Sequence, residues 1–346
     1  MDGTGVSCNK YNDSSCKLFT GKTTFDSFFF LGGGRIAVDV FIIISAWFMC
    51  DSEFKSCRIF STWVTTFFYS FFVGTVYLLL YNNTAFFVSQ LFPCSNKIVW
   101  FIRGYLLLLI ISPILNLILT RRNISMFFVV VAILFMTYNT VFPMYGKDLF
   151  DIGTFSLLYV LIGWYKIHIR NKPKASISFL MFAIVYSFNI LWITFFEGID
   201  ERLNLAIYGY SGDMFHVHYY NMVTVAAAIF LFFGFSQIKI QNKCISVLST
   251  GTLDVYLLLS MNSPKGLLWW LDVSGLIESS FLEDSLLSVY LICLAIFIIT
   301  LILGTIRNKL LITISSKGCF YDIFKLIDSR INKITKISMA ERFRTQ

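Results

Sequence analysis

The sequence predicts an all-α fold, a polytopic bundle of about nine transmembrane helices. Composition, the length of the apolar runs and the placement of Lys and Arg each predict it. Of 346 residues, 57% are apolar and 14% are charged, about half the charged share of an ordinary soluble domain. There are 38 Phe and 17 Tyr, and the mean hydropathy is +0.72. A water-exposed surface could not hide that much apolar area. The composition therefore excludes a soluble globular enzyme, a disordered chain and a nucleic-acid-binding module. Membrane lipid is the expected surrounding, and no nucleic acid is expected as a partner.

A bilayer-spanning helix needs about 20 mostly apolar residues. Nine segments qualify: 28–50, 60–81, 98–119, 125–143, 151–168, 176–196, 219–238, 244–263 and 284–306. In the first, the strongly apolar part, Ile36 to Cys50, is short, and Gly32, Gly33 and Gly34 before it favour a bend. The bundle thus occupies 28–306. An extracytoplasmic segment, 1–27, precedes it, and a basic tail, 307–346, follows.

Orientation follows from Lys and Arg in the loops. One set of loops holds Lys55 and Arg58; Arg121 and Arg122; Lys166, Arg170, Lys172 and Lys174; Lys239 and Lys243; and the tail from Arg307 to Arg344, nineteen cations in all. The opposite set holds eight, from Lys10 to Lys265, and Arg103 lies inside a span. The loops alternate strictly, so the first set is cytoplasmic. The net charge of +8 then records topology rather than an acidic partner. Nine spans with a cytoplasmic C-terminus put 1–27 outside with no signal peptide. Short polar N-termini can cross unaided; the simpler expectation is an intact protein with one further span in front. The tail alternates basic and apolar residues, as suits an amphipathic helix on an anionic leaflet.

Other motif classes are weak. No internal repeat, Gly-rich phosphate loop or dinucleotide fingerprint is present, and the eight cysteines lack metal-type spacing. Cys8 and Cys16 could close a small disulfide loop or be incidental. Asn82-Asn83-Thr84 matches a glycosylation sequon, a match common by chance.

Ionisable residues inside spans are costly and so informative. Arg103 is five residues into its span, roughly 8 Å below the outer boundary at 1.5 Å per residue. Asp39 lies at a similar depth in the first span. The expectation is an Asp39–Arg103 ion pair lining a polar cavity. The alternatives are a purely structural pair or an arginine that snorkels outward. Asp254, among Gly251, Thr252 and Tyr256, suits a buried polar joint more than a substrate contact. His216 and His218, beside Asp213, form a His-x-His pair on the outer face. Without a third local ligand it makes a weak metal site, and no metal is expected. General-base work by His216 fits better, because imidazole titrates near neutrality. Lys166, His168, Arg170 and Lys172 form a basic cytoplasmic loop. It could attract the phosphates of an acyl-CoA or simply orient the helices.

Several stretches resemble the acyltransferase-3 family of integral membrane O-acyltransferases, of the kind encoded with bacterial surface-polysaccharide genes. Gly33-Gly34-Arg35-Ile36-Ala37-Val38-Asp39-Val40-Phe41, continuing to Ser45-Ala46-Trp47, resembles that family's second helix. Trp100-Phe101-Ile102-Arg103-Gly104-Tyr105, continuing to Ser112-Pro113-Ile114-Leu115-Asn116, resembles its Trp-Phe…Tyr…Pro-x-Leu-Asn helix. Tyr159-Val160-Leu161-Ile162-Gly163-Trp164-Tyr165 is similar to its Tyr-x-x-Gly-x-Tyr ending, and Asp254-Val255-Tyr256-Leu257-Leu258 to its late Gly-Val-Tyr-Leu-Ile. The resemblance covers roughly 25–310. It implies a ten-helix bundle in a bacterial plasma membrane. It also implies transfer of an acyl group, usually acetyl, from acyl-CoA to a hydroxyl of a surface glycan or its lipid-linked precursor. Asp39, Arg103 and Tyr256 would lie along a polar path. The family's first helix, with a functional arginine and the catalytic histidine, has no counterpart here, and Leu259 stands where a second histidine is expected. A truncated or inactive relative is therefore one reading. A polysaccharide-pathway transporter or flippase is the alternative from another class; the absence of an internal repeat argues against it.

Overall fold

The computed structural model describes residues 24–95, 100–141, 148–169, 171–203, 221–239, 242, 243, 246, 249, 251–260, 286–315 and 324–333. Every regular element among them is helical. The helices are α1 Thr24–Met49, α2 Ser56–Tyr81, α3 Thr84–Gln90, α4 Trp100–Thr120, α5 Arg122–Val141, α6 Asp148–Trp164, α7 Ala175–Leu203, α8 Met222–Phe235, α9 Thr252–Ser260 and α10 Leu286–Ser315. A further helix, α11, spans 324–333. The Cys8–Cys16 and His216–His218 readings lie outside the described residues.

Among the described residues, five helical stretches are long and apolar enough to cross a membrane: Ser56–Tyr81, Trp100–Thr120, Arg122–Thr140, Asp151–Ile169 and Ala175–Trp192. By length alone, α1 with 26 residues and α10 with 30 would also span a bilayer. Many large apolar side chains face outward, among them Phe48, Phe72, Leu79, Ile114, Phe127 and Leu134. Such a surface is unstable in water and suited to lipid. The protein is a membrane protein built from apolar helices.

The chain forms two compact units. One comprises 24–59, 103–239 and 322–346. In it α1 packs on α6, α7 and α8, α5 on α6 and α8, and α7 on α8. Helix α1 buries Ile36, Ile42, Ile43 and Ala46 and turns Ile44 and Phe48 outward, the one-sided pattern of a helix at the rim of a bundle. Gly104 of α4 lets α6 approach: a Cβ there would lie 2.8 Å from the Phe155 ring. Helix α8 starts at a mutual cap. The Asn221 side chain accepts from the Val223 N–H at 2.9 Å, and Thr140 Oγ1 accepts from the Met222 N–H at 3.0 Å. These contacts satisfy donors left open at a helix start.

The other unit comprises 60–102 and 240–321, with the N-terminal residues. Here α9 packs on α10, and α2 carries α3. Ser70 Oγ lies 2.7 Å from the Gln90 carbonyl and 2.9 Å from its Oε1. Asn82, at the end of α2, has φ 50°, the left-handed conformation that Asn tolerates. Asn83 then caps α3 by accepting from Phe86 N–H.

Several features of the helices differ from the sequence-based expectation. The span placed at 284–306 continues as helix to Ser315, so Arg307 is a helix residue rather than the first residue of the tail. Its charge is neutralised within the protein, so the helix has no reason to end there. Helix α11 is docked against the chain near Phe54 and Ser56, a contact that the basic and apolar alternation of the tail does not announce.

Candidate functional site

One recess among the described residues lies in the unit containing α1, α4 and α6. It is a small open cleft, bordered by the end of α1, the loop 51–55, the first turn of α2 and the middle of α4. Lys55 and Arg58 stand at it, with Ser112 and Asn116 on the α4 wall. Polar residues hold that wall in an otherwise apolar core. Asn116 Nδ2 donates to the Met49 carbonyl at 3.1 Å, and Tyr159 Oη donates to Asn116 Oδ1 at 2.8 Å. Asn116 and Tyr159 are both buried, and each partner removes the penalty of burying the other.

The loop beside the cleft collects further cations. Helix α6 ends in a π-helical turn, Tyr165–Ile169, a local widening common at functional positions. From it the Lys166 ammonium reaches Asp51 at 2.8 Å and the Trp47 carbonyl at 2.5 Å. Lys166 and Lys172 lie 5.2 and 5.0 Å from the centre of the Trp47 ring, within cation–π range. Trp47 is backed by Phe232 and Phe233 of α8. His168 lies on the same π turn with its ring 5.6 Å from Trp164. Of the basic set read from the sequence, Lys166 and Lys172 thus meet on one tryptophan. Arg170 lies outside the described residues.

The expected Asp39–Arg103 ion pair is not formed. Asp39 is fully buried, and neither of its carboxylate oxygens has a hydrogen-bond partner among the described residues. Arg103 is only half-buried. The face of α4 turned to α1 carries Tyr105, whose ring meets Phe41 at 5.0 Å and whose hydroxyl lies 3.4 Å from Ser45 Oγ. Residues two apart on a helix do not share a face, so a helix that presents Tyr105 to α1 turns Arg103 elsewhere. Equal depth in the membrane was not enough to make a pair. An orphaned buried carboxylate is expensive, which makes Asp39 the least explained polar group of this unit.

Tyr256 and Asp254 belong to the other unit, on α9. The Tyr256 ring packs edge-on against Phe101 at 5.1 Å. Asp254 forms an ion pair with Arg307 of α10 at 2.7 Å, which is the polar joint its surroundings suggest. Arg307 also donates to Thr65 Oγ1 at 2.8 Å and Asn308 Oδ1 at 2.6 Å, and its guanidinium lies 5.6 Å from the Tyr69 ring. His216 lies outside the described residues. No cluster of three or more metal-type ligands occurs among the described residues.

The sequence reading missed Trp47, Asn116, Tyr159 and Arg307 as interacting residues. Asn116 could have been noticed as an amide inside an apolar span. Arg307 was counted as an orienting charge because it follows the apolar run directly.

A family model described as an acyltransferase domain matches residues 17–306. No curated protein and no solved structure matches the chain.

Proposed function

The chain belongs to the acyltransferase-3 family and is a membrane acyltransferase of that general kind; from this premise we propose that it moves an acetyl or similar acyl group from acyl-CoA to a hydroxyl of a surface polysaccharide or its lipid-linked precursor. The observation that carries the donor reading is the cleft, whose border holds two cations and one carboxylate, Glu53. Lys55 and Arg58 border it, Lys166 and Lys172 gather on Trp47 nearby, and all four fall in the loops whose Lys and Arg excess argues for the cytoplasm. Phosphates of a coenzyme A would be held by such cations as point charges and forks. The acceptor class rests on the family resemblance.

In the reaction the acceptor hydroxyl oxygen attacks the thioester carbonyl carbon and the C–S bond breaks. The hydroxyl proton passes to a base and from it to the departing sulfur, so coenzyme A leaves as the thiol. The developing oxyanion needs donors, and the proton needs an acceptor shielded from water. Asp39 suits the acceptor role, because its fully buried carboxylate has no hydrogen-bond partner among the described residues. Arg103, in the same unit, is the proposed positioning group; it is turned away from Asp39 and does not pair with it. His216 is the proposed alternative base on the acceptor side.

The test uses the protein in lipid nanodiscs with acetyl-CoA and the cell's own lipid-linked glycan, following coenzyme A release by mass spectrometry. Lys55→Glu/Arg58→Glu should raise KM for acetyl-CoA about tenfold or more, as expected for losing charge-assisted phosphate contacts. Asp39→Asn keeps the volume and should lower kcat by about 10²-fold or more without loss of folded protein. Glycan-dependent release that ignores both changes refutes the site. No release at all, with glycan export lost on gene deletion, selects a transporter instead.

A further inference from the structure

We infer that helix α11 is a positioning element for the cleft, holding the loop 51–55 in place through Asp328 and Asn332. The link to donor binding rests on the donor reading above. Two side chains make the contact. Asn332 Oδ1 accepts from the Phe54 N–H at 2.8 Å, and its Nδ2 donates to the Phe54 carbonyl at 3.0 Å. One amide thus satisfies both backbone groups of one residue, as a neighbouring strand would. Asp328 Oδ1 accepts from the Ser56 N–H at 2.7 Å. Ser56 opens α2, so its N–H has no partner within the helix. A carboxylate there also meets the positive end of the helix dipole. Ser56 Oγ adds a long contact to the Phe324 carbonyl at 3.5 Å.

The exposure pattern of α11 argues that this contact is its purpose. A helix made only to lie on a protein core would bury its apolar side chains and leave its amide and carboxylate in water. Here Leu326 is 56% and Ile327 40% exposed, while Asp328 and Asn332 are only partly exposed and spend their polar atoms on backbone. Phe324, Asp328, Ile331 and Asn332 share one stripe of the helix. The loop they grip carries Ser52, Glu53, Phe54 and Lys55, all of which border the cleft, and the helix start they cap carries Arg58 and Ile59, which border it too. Some 270 residues of chain separate the two partners, so the contact ties the loop to a distant part of the chain.

The experiment compares the full-length protein in nanodiscs with its Asp328→Ala/Asn332→Ala form. Amide exchange is read by mass spectrometry on peptides covering 51–59, and steady-state kinetics are measured with acetyl-CoA. Exchange in those peptides should speed up about tenfold or more, since three hydrogen bonds are removed, while peptides of α6 and α8 stay unchanged. KM for acetyl-CoA should rise about tenfold with kcat held, and Asp328→Asn, which keeps an acceptor, should stay close to the parent. Unchanged exchange at 51–59 overturns the inference. So does faster exchange with KM unmoved, which would leave α11 a mere cap, and so does faster exchange throughout, which would mark a general loss of fold. If the parent protein takes no acetyl-CoA, the donor reading falls by itself. The positioning role is then decided by whether faster exchange is confined to 51–59.

Discussion

Removing either partner of the Asp254–Arg307 pair should destabilise the protein far more than removing both. The two groups are nearly dry, with side chains 0% and 8% exposed, and they meet at 2.7 Å. At that distance, with an effective dielectric near 20, their attraction is about 6 kcal/mol. Desolvation of two ions takes back several kcal/mol each, so the intact pair contributes little net stability. Breaking it is another matter. Asp254→Ala leaves the Arg307 guanidinium buried, and its remaining acceptors, Thr65 and Asn308, carry no charge. The expected loss is about 3–5 kcal/mol for Asp254→Ala and the same for Arg307→Ala. The double alanine form should lose much less than the two losses together, with a coupling energy of about 3 kcal/mol. Asp254→Leu/Arg307→Met, which fills the space with apolar atoms, should come within about 1 kcal/mol of the parent. The assay is equilibrium unfolding in mixed micelles with rising dodecyl sulfate, followed by tryptophan fluorescence. Losses under about 1 kcal/mol for the single variants, or strictly additive losses, would refute the reasoning.

Two further stability outcomes are open to the same titration. Gly304→Ala would bring a Cβ within 2.6 Å of the Asp254 Cβ and Oδ2; it should cost about 1–3 kcal/mol, and clearly less when Asp254 is already glycine, which removes both atoms. Tyr159→Phe strips the donor from buried Asn116 Oδ1 and should cost about 1–3 kcal/mol; a neutral result would mean that the wall of the cleft is wetter than its burial implies.

Much of the helical layout was legible because a span announces itself through a one-dimensional property, the mean polarity of about twenty residues. The cores of α2, α4, α5, α6 and α7 lie where their apolar runs lie. The end of α10 was not legible, since Arg307 looks like a terminator until Asp254 is seen opposite it. The start of α2 at Ser56 was hidden for a related reason: its cap comes from Asp328, far away in the chain. Within the candidate site, the basic character of the Lys166–Lys172 loop was visible, but its gathering on Trp47 was not.

The Asp39–Arg103 expectation shows where reading the chain stops. Position along a span reports depth, so the sequence by itself determined the membrane class, the cores of five long apolar helices and the family pattern. Partnership depends also on which helices are neighbours and on how each is rotated, and rotation changes by about 100° per residue. Tertiary structure alone therefore decided that α4 turns Tyr105 to α1, that Asp39 has no donor among the described residues, that Arg307 answers Asp254, and that a helix near the C-terminus grips the loop at the cleft.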